Sequence, residues 1–365
     1  MAIKNVTVFS VGNEYQIMAQ ANGSTLMTVR VGGRIFGDES NGILRSNVKI
    51  HRVTVPMELL DAQGEYTVIE QQVIERLPYF PKLGEIEEET YKFYPVPKTG
   101  EVRAYHVADA HNRVESPIEA AKKFGRIDFL VMNGDIPEDC SSESNFDTVY
   151  KISHGITGGN IPVVFSRGNH DMRGILAEQI IDFTPNQNGN SYYSFRIGGI
   201  WGVVLDCGED KDDSHPEYNH TVCCGNFRQR QTEYLKNIVN HADREYAAEG
   251  VEHRIVVVHN PFPCIHRMDP PFLNETERYA EWTRILGDKI KPDVMLAGHY
   301  HHLEVARDGD NPRDGRLPFT VIFGSQPTDD GFSGCGVVFR ADSRNIDVTF
   351  TNSSDGVIGT DTIIP

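Results

Sequence analysis

Apolar and polar residues alternate in short runs over positions 1–96. The runs "VTVFSV", "YQIMAQA", "TLMTVRV", "NVKIHRVTV" and "EYTVIEQQVIERL" are separated by Gly, Asn and Asp turns. A period of two predicts β-strands, and no helix-length period interrupts them. Residues 1–96 are therefore expected to form a small all-β sandwich, and "YFPKLGEIEEETYKFYPVPKTGE", with its prolines and acidic cluster, is expected to be a linker. From about residue 100 the pattern changes. "EVRAYHVAD", "RIDFLVMNGD", "IPVVFSRGNHD", "HRIVVVHNP" and "PDVMLAGHYHH" are apolar runs of strand length, each ending in polar residues. Helix-length stretches lie between them: "SPIEAAKKFG", "NFDTVYKISHGI", "MRGILAEQIIDF", "NFRQRQTEYLKNIVNHADREYAAEG" and "ETERYAEWTRILGDKI". In the longest, Phe227, Tyr234, Leu235, Ile238, Val239 and Tyr246 recur on one face, with Asn226 as a cap at its start. Late runs around "FTVIFGS", "CGVVFR" and "NIDVTFTN" add antiparallel pairing. The expected architecture is α/β, a mixed sheet or two stacked sheets with outer helices.

A chain of 365 residues that is 39% hydrophobic can bury a full core, and its length suits one large domain plus a smaller one. The boundary is placed at residues 96/97, giving domains 1–96 and 97–365. A formal net charge of -17 argues against a nucleic-acid groove or an anionic membrane as the main partner. No apolar run reaches the roughly 18 residues that a membrane-spanning helix needs. The opening segment is broken by Asn13 and Glu14 and makes a poor signal peptide, so a cytoplasmic location is expected. The six cysteines contain no CxxC pair and suit reduced thiols.

The chemistry lies at the ends of the five apolar runs. They deliver Asp109 and His111, Asp135, Asn169 and His170, His259, and His299 and His301. In open α/β sheets the crevice at the carboxyl ends of strands binds ligands, so these residues are expected to meet. Imidazoles and carboxylates bind borderline divalent metals, and an aspartate with two oxygens can bridge two ions. Two ions about 4 Å apart hold an attacking hydroxide and clamp the oxygens of an in-line phosphoryl displacement. On this reading Asn169 is a ligand, His170 is free to act on the substrate, and Asp171 is placed to orient it.

"DAH", "GD", "GNHD", "VVVH" and "GHYH" stand in the order and spacing of the calcineurin-like metallophosphoesterases, which this chain resembles over roughly residues 100–305. The resemblance implies a four-layer αββα sandwich and a dinuclear site. One metal would take Asp109, His111 and His301, the other Asn169, His259 and His299, with Asp135 bridging. His170 matches the histidine that contacts the phosphoryl group and assists the leaving oxygen. The N-terminal β-sandwich, of the fibronectin III or immunoglobulin type, resembles that of purple acid phosphatase-like proteins. The chain departs from that branch at His111, where the branch has Gly, and at Glu138, where it has the tyrosine that colours ferric iron. Two divalent ions, Mn, Fe or Zn, therefore fit better than a ferric tyrosinate. Two ions bring positive charge into an acidic protein, so an anionic substrate can bind.

The implied activity is hydrolysis of a phosphomonoester or phosphodiester by metal-bound hydroxide, on a small phosphorylated substrate. A catalytically silent binding or scaffold protein on the same fold is the alternative, and oligomeric state is left open. Arg113 and Arg167 flank the first and third motifs and either can add a guanidinium for phosphate oxygens, or be a solvated surface arginine. His106 is expected in the core and His302 as a neighbour of the site. His220 and His266 are expected at the surface, with lining the pocket as the alternative. The polar insertion "DCGEDKDDSHPEYNHTVCCGN" overhangs the crevice in this reading and is a candidate substrate-selecting loop.

Overall fold

A computed structural model describes residues 2–264, 276–310 and 316–364. Two sheets stack face to face. The larger has ten strands, in the order Gly356–Ile363, Ile346–Asn352, Gly331–Phe339, Val102–Val107, Phe129–Asn133, Pro162–Ser166, Ile3–Val11, Glu14–Ala21 and Ile50–Pro56, with Gln326–Thr328 pairing beside the third of these. The second has six strands, in the order Tyr193–Ile197, Ile200–Leu205, His253–Val258, Val294–Ala297, Val321–Gly324 and Leu303–Ala306. Helices Glu115–Phe124 and Glu143–Thr157 cover the outer face of the first sheet through Ala120, Phe146, Val149 and Ile152, which pack on Tyr105, Leu130, Met132 and Val163. Helices Cys224–Asn240 and Thr276–Ile285 cover the outer face of the second, with Leu235, Ile238 and Trp282 against Val203, Val256 and Met295. The chain thus forms the expected αββα layers. Among the described residues no helix is long and apolar enough to cross a membrane.

The central strands are apolar along their whole length because both faces are covered. "FLVMN" and "PVVFS" are buried at every position. Their inward faces supply Val131 and Val164, which meet Ile255, Val257 and Leu296 of the second sheet between the layers.

The N-terminal segment corrects the expected domain division. It is all-β apart from the short helix Met57–Gln63, but it is not a separate sandwich. Ile3–Val11 pairs in parallel with Pro162–Ser166, Val8 opposite Pro162 and Phe9 opposite Val163. Glu14–Ala21 and Ile50–Pro56 then extend the same sheet. A four-stranded sheet, Arg34–Gly37, Thr25–Val31, Glu65–Glu75 and Lys82–Lys92, packs on this extension with Met27, Val29 and Val68 facing Ile17, Ala19 and Val53. Two layers do face one another, but one is the end of the large sheet. Alternation reports that a strand has one buried face and says nothing of which sheet it joins.

The expected linker is also partly strand. Lys82–Lys92 pairs with Glu65–Glu75 along most of its length, supported by the ion pairs Lys92–Glu65 and Lys82–Glu75 and by stacking of Tyr66 on Tyr91. Its acidic run is what an outer edge strand carries when it is exposed on nearly all sides. Of the expected helices, the longest runs from Cys224 to Asn240, its first N–H groups, of Cys224 and Gly225, donating to the Asp213 carboxylate rather than to the expected cap Asn226, and "MRGILAEQIIDF" folds as short turns ending in Ile180–Phe183.

Excision of residues 1–96 would strip the partner strand from Pro162–Ser166 and uncover Val164 and Phe195. The truncated chain is expected to be recovered as aggregate without a cooperative thermal transition. A soluble, cooperatively melting 97–365 fragment in circular dichroism would show instead that the segment is a separable domain.

Candidate metal centre

Register carries the polar strand ends to one place. Val107 stands opposite Met132 and Asn133 opposite Ser166, so the residues that follow, Asp109, Asp135 and Asn169, emerge side by side. Parallel pairing continues past the strands, with the Asp109 amide donating to the Gly134 carbonyl at 3.0 Å and that of His111 to Asp135 at 3.1 Å. On the other sheet Leu205 is level with Val258 and Val257 with Leu296, which delivers His259 and His299 to the same end. Asn133 ties the two sheets beneath this crevice. Its amide nitrogen donates to the carbonyls of Val258 (3.1 Å) and Leu296 (3.0 Å), and its own carbonyl accepts from His259 Nδ1 at 2.7 Å.

The expected ligand side chains converge into one cluster. Asp109 lies 3.3 Å from His301 Nε2, and His301 Nε2 lies 3.2 Å from His111 Nε2. Asp135 Oδ2 is 3.0 Å from His259 Nε2, which is 3.7 Å from Asp109. His299 Nδ1 is 3.0 Å from Asn169 Oδ1. Asp109, His111 and His301 form one group able to hold a cation, and Asp135, His259 and His299 form another. Five of these residues pay for the sharp turn at the strand end with left-handed backbone: φ is 51° at Asp109, 46° at His111, 52° at Asp135, 70° at His299 and 52° at His301. Each such residue costs on the order of 1 kcal/mol, a strain that clusters at functional sites. Gly134, at φ +80°, has no room for a side chain, since a Cβ would meet the Gly168 backbone at 2.6 Å and the His259 ring at 2.7 Å.

Electrostatics fit this donor set. Burial alone would lower the His259 imidazolium, but Asp135 and Asp109 override it and raise its pKa to about 10. Burial would likewise raise the Asp135 carboxyl, and His259 holds it below the usual range. Burial, with His259 nearby, lowers His299 to about 4, so it presents a neutral imidazole. His301 is raised by its hydrogen bond to Asp109. His259 Nε2 is buried with no well-aligned hydrogen bond, while its Nδ1–H is engaged by the Asn133 carbonyl, which leaves Nε2 as the atom able to coordinate a cation. Two buried carboxylates ringed by imidazoles form a donor set that can hold divalent cations.

His170 sits at the mouth. Its Nδ1 donates to the Glu138 carbonyl at 2.8 Å, and its Nε2 lies 4.0 Å from Asp135 Oδ2. Asp171 does not orient it, contrary to expectation. The Asp171 carboxylate accepts from the backbone N–H of Gly168 (2.7 Å) and of Asp135 (3.0 Å), so it locks two ligand loops together; burial, then Asp135, raises its pKa to about 7. Arg167 is also reassigned. Its Nε donates to the buried Asp206 at 2.6 Å and its guanidinium lies over Phe227, so it braces the fold. Arg113 turns back to the Ala110 carbonyl at 3.4 Å. His106 is fully buried, lies with Nε2 3.0 Å from Asn133 Nδ2, and has its pKa lowered by burial to about 3. His302 pairs with Glu304 outside the cluster, His220 is exposed, and His266 lies outside the described residues.

Residues that sequence reasoning passed over complete the rim. Glu138, where the purple branch has its tyrosine, places a carboxylate 3.1 Å from His111 Nδ1. Asp210, from the polar insertion, lies 3.9 Å from His299 Nε2. Arg173 Nη1 lies 3.2 Å from His170 Nε2. The only sequence signal for Asp210 and Arg173 is proximity to a motif and a long polar insertion.

Comparison with known proteins bears on the fold and the family. The human serine/threonine-protein phosphatase CPPED1 is 25% identical over 145 residues, which is 39% of this chain and 42% of that protein, and the mouse protein is 27% identical over the same length. The chain thus matches less than half the length of these relatives. Its fold is similar to that of the purple acid phosphatase PPD1 from yellow lupin (Lupinus luteus) seeds, with a TM-score of 0.62, 14% identity and coverage of 100% of this chain and 74% of that one. It is similar also to PhoD, with a TM-score of 0.56, 10% identity and coverage of 98% and 88%. The calcineurin-like phosphoesterase model matches residues 102–303, more than half of the chain and the span that holds every side chain of the cluster, and the protein belongs to that family.

Proposed function

We propose that this protein is a dinuclear-metal phosphoesterase that hydrolyses a small phosphomonoester or phosphodiester. The observation that carries the reading is the convergence of Asp109, His111, Asp135, Asn169, His259, His299 and His301 from both sheets on one point, buried at the carboxylates and open to solvent at His301. Asp109, His111 and His301 would hold one divalent ion, Asn169, His259 and His299 the other, and Asp135 would serve both. When bound, the pair supplies Lewis acidity that offsets phosphoryl charge and activates a solvent nucleophile.

The side chains of this protein do the rest. Asp135 and Asp109 keep the facing imidazoles in place. Asn133 fixes the His259 tautomer, and Asp171 holds the backbone of residues 135 and 168 together. His170, oriented by the Glu138 carbonyl, presents Nε2 toward the crevice and passes a proton to the departing alkoxide. All six cysteines are free thiols, five of them buried, which supports a reducing compartment such as the cytoplasm.

Purified protein supplied with Mn or Zn is expected to turn over p-nitrophenyl phosphate or bis-p-nitrophenyl phosphate, and to lose that activity to a chelator. Two metals bound per chain with neither ester cleaved would favour a binding protein on the same fold. Asp135→Asn should lower the metal content measured by elemental analysis and abolish turnover. His170→Ala should leave metal content unchanged and reduce kcat about 100-fold or more, the usual worth of a positioned acid; equal kcat in the two proteins would remove His170 from the mechanism.

A further inference from the structure

We infer that Arg173, and neither of the motif-flanking arginines, grips a non-bridging phosphoryl oxygen, and that the cleft beside it receives the alcohol of a phosphomonoester. The inference rests on the phosphoesterase reading and gives that site a substrate class.

Arg173 is built into place. Its Nε and Nη2 donate to the two carboxylate oxygens of Glu209 at 3.0 and 2.9 Å, a two-point fork that fixes the guanidinium plane. Glu209 is 1% exposed, and its carbonyl accepts from Arg228 Nη2 at 2.7 Å. Arg228, itself buried on helix Cys224–Asn240, also donates to the Cys207 carbonyl at 2.6 Å. A helix thus anchors the start of the polar insertion, the insertion holds Glu209, and Glu209 aims Arg173. The fork leaves Nη1 for other partners, and Nη1 lies 3.2 Å from His170 Nε2, the nitrogen that faces the crevice. His170 Nδ1 is committed to the Glu138 carbonyl, so without substrate the neutral ring accepts from Nη1 through Nε2; a substrate oxygen that takes this place on Nη1 frees Nε2 to carry the proton that the leaving oxygen receives.

Charge defines what this arginine can do. Asp210 and Glu217 lie 3.8 and 3.6 Å from Nη2, and Lys211 pairs with both at 3.1 Å. Three carboxylates outnumber two cations, so the cluster does not attract anions at a distance. It holds Arg173 rigid and charged and lends it a directional donor. A phosphomonoester has three non-bridging oxygens and a diester two, so a donor beyond the metal ligands serves the monoester most.

The adjoining cleft has a volume of about 570 Å³ and is lined by Met172, Arg173, Ile175, Glu178, Tyr218 and Val222 among others. That is within the range of small-molecule sites. Ile175 is 73% exposed on its wall, an apolar contact for the leaving alcohol. The polar insertion therefore helps to form the pocket, with Glu217 and Tyr218 lining it together with Met172, Arg173, Ile175 and Glu178.

The test uses full-length, manganese-loaded protein, wild type against Arg173→Ala and Arg173→Lys. Inorganic phosphate affinity is read by titration calorimetry, and kcat and KM are read for p-nitrophenyl phosphate and bis-p-nitrophenyl phosphate. Metal content should be equal in all three. Arg173→Ala is expected to weaken phosphate binding about tenfold or more, the usual worth of a hydrogen bond to a charged group, and to raise KM for the monoester by a similar factor. The diester should change little, and Arg173→Lys should recover part of the loss. Glu209→Gln, which keeps the shape and loosens the fork, should give a smaller change in the same direction. Phosphate affinity and monoester KM unchanged in Arg173→Ala, or no phosphate binding by the wild type, would overturn the assignment. Equal losses on both esters with reduced metal content would show that Arg173 only supports the fold. Failure of the wild type to cleave either ester would overturn the enzymatic reading, whereas calorimetry judges the phosphate grip independently of turnover.

Discussion

Two carboxylates buried side by side constrain the whole molecule. Asp109 is fully buried and Asp135 is 2% exposed, and both lie where two sheets meet. Moving an anion out of water costs several kcal/mol unless it is paired, so this centre has to be ringed by groups that carry or accept positive charge. The sheets deliver them as histidines. The raised pKa of His259 is the protein's answer when only protons are present, and the same field that holds a proton there favours a divalent cation. Asn133 makes this arrangement stiff, because one side chain joins the ends of three strands across the interlayer gap.

The extended large sheet serves the same end. With Ile3–Val11 added beside Pro162–Ser166, the strand that launches Asn169 and His170 is internal to the sheet on both edges. The N-terminus is further tied by Glu70, whose carboxylate accepts from the backbone N–H of Ala2 and Ile3 at 2.6 and 2.7 Å. The strands that deliver Asp109, Asp135, Asn169, His259 and His299 are each paired on both sides, a framework that suits side-chain geometry that has to hold to a fraction of an ångström. Strain at the left-handed ligand residues is sustained by that framework.

The arginines show how position in sequence and role in structure separate. Arg167 is next to the most chemically loaded motif, yet Asp206 claims it. Arg173, in a stretch that looks helical, is turned toward His170 because residues 170–183 fold as short turns and Glu209 captures the guanidinium. The polar insertion shapes the entrance, through Glu209, Asp210 and Glu217, while the clustered carboxylates and imidazoles come from the strand ends.

By itself the chain determined its class of chemistry. Apolar runs that end in Asp, His and Asn can be read without coordinates because a strand's register carries its end residues to a common edge, and the layered α/β form follows from strand and helix periods. What only tertiary structure decided is everything that depends on which faces meet. Whether residues 1–96 form a domain or extend a sheet turns on pairing between Val8 and Pro162, more than 150 positions apart, which no local period encodes. The same holds for Asp171, Arg167, Asn133 and Arg173. Each is a polar side chain with several conceivable partners, and the partner is chosen by burial and geometry after the sheets have packed.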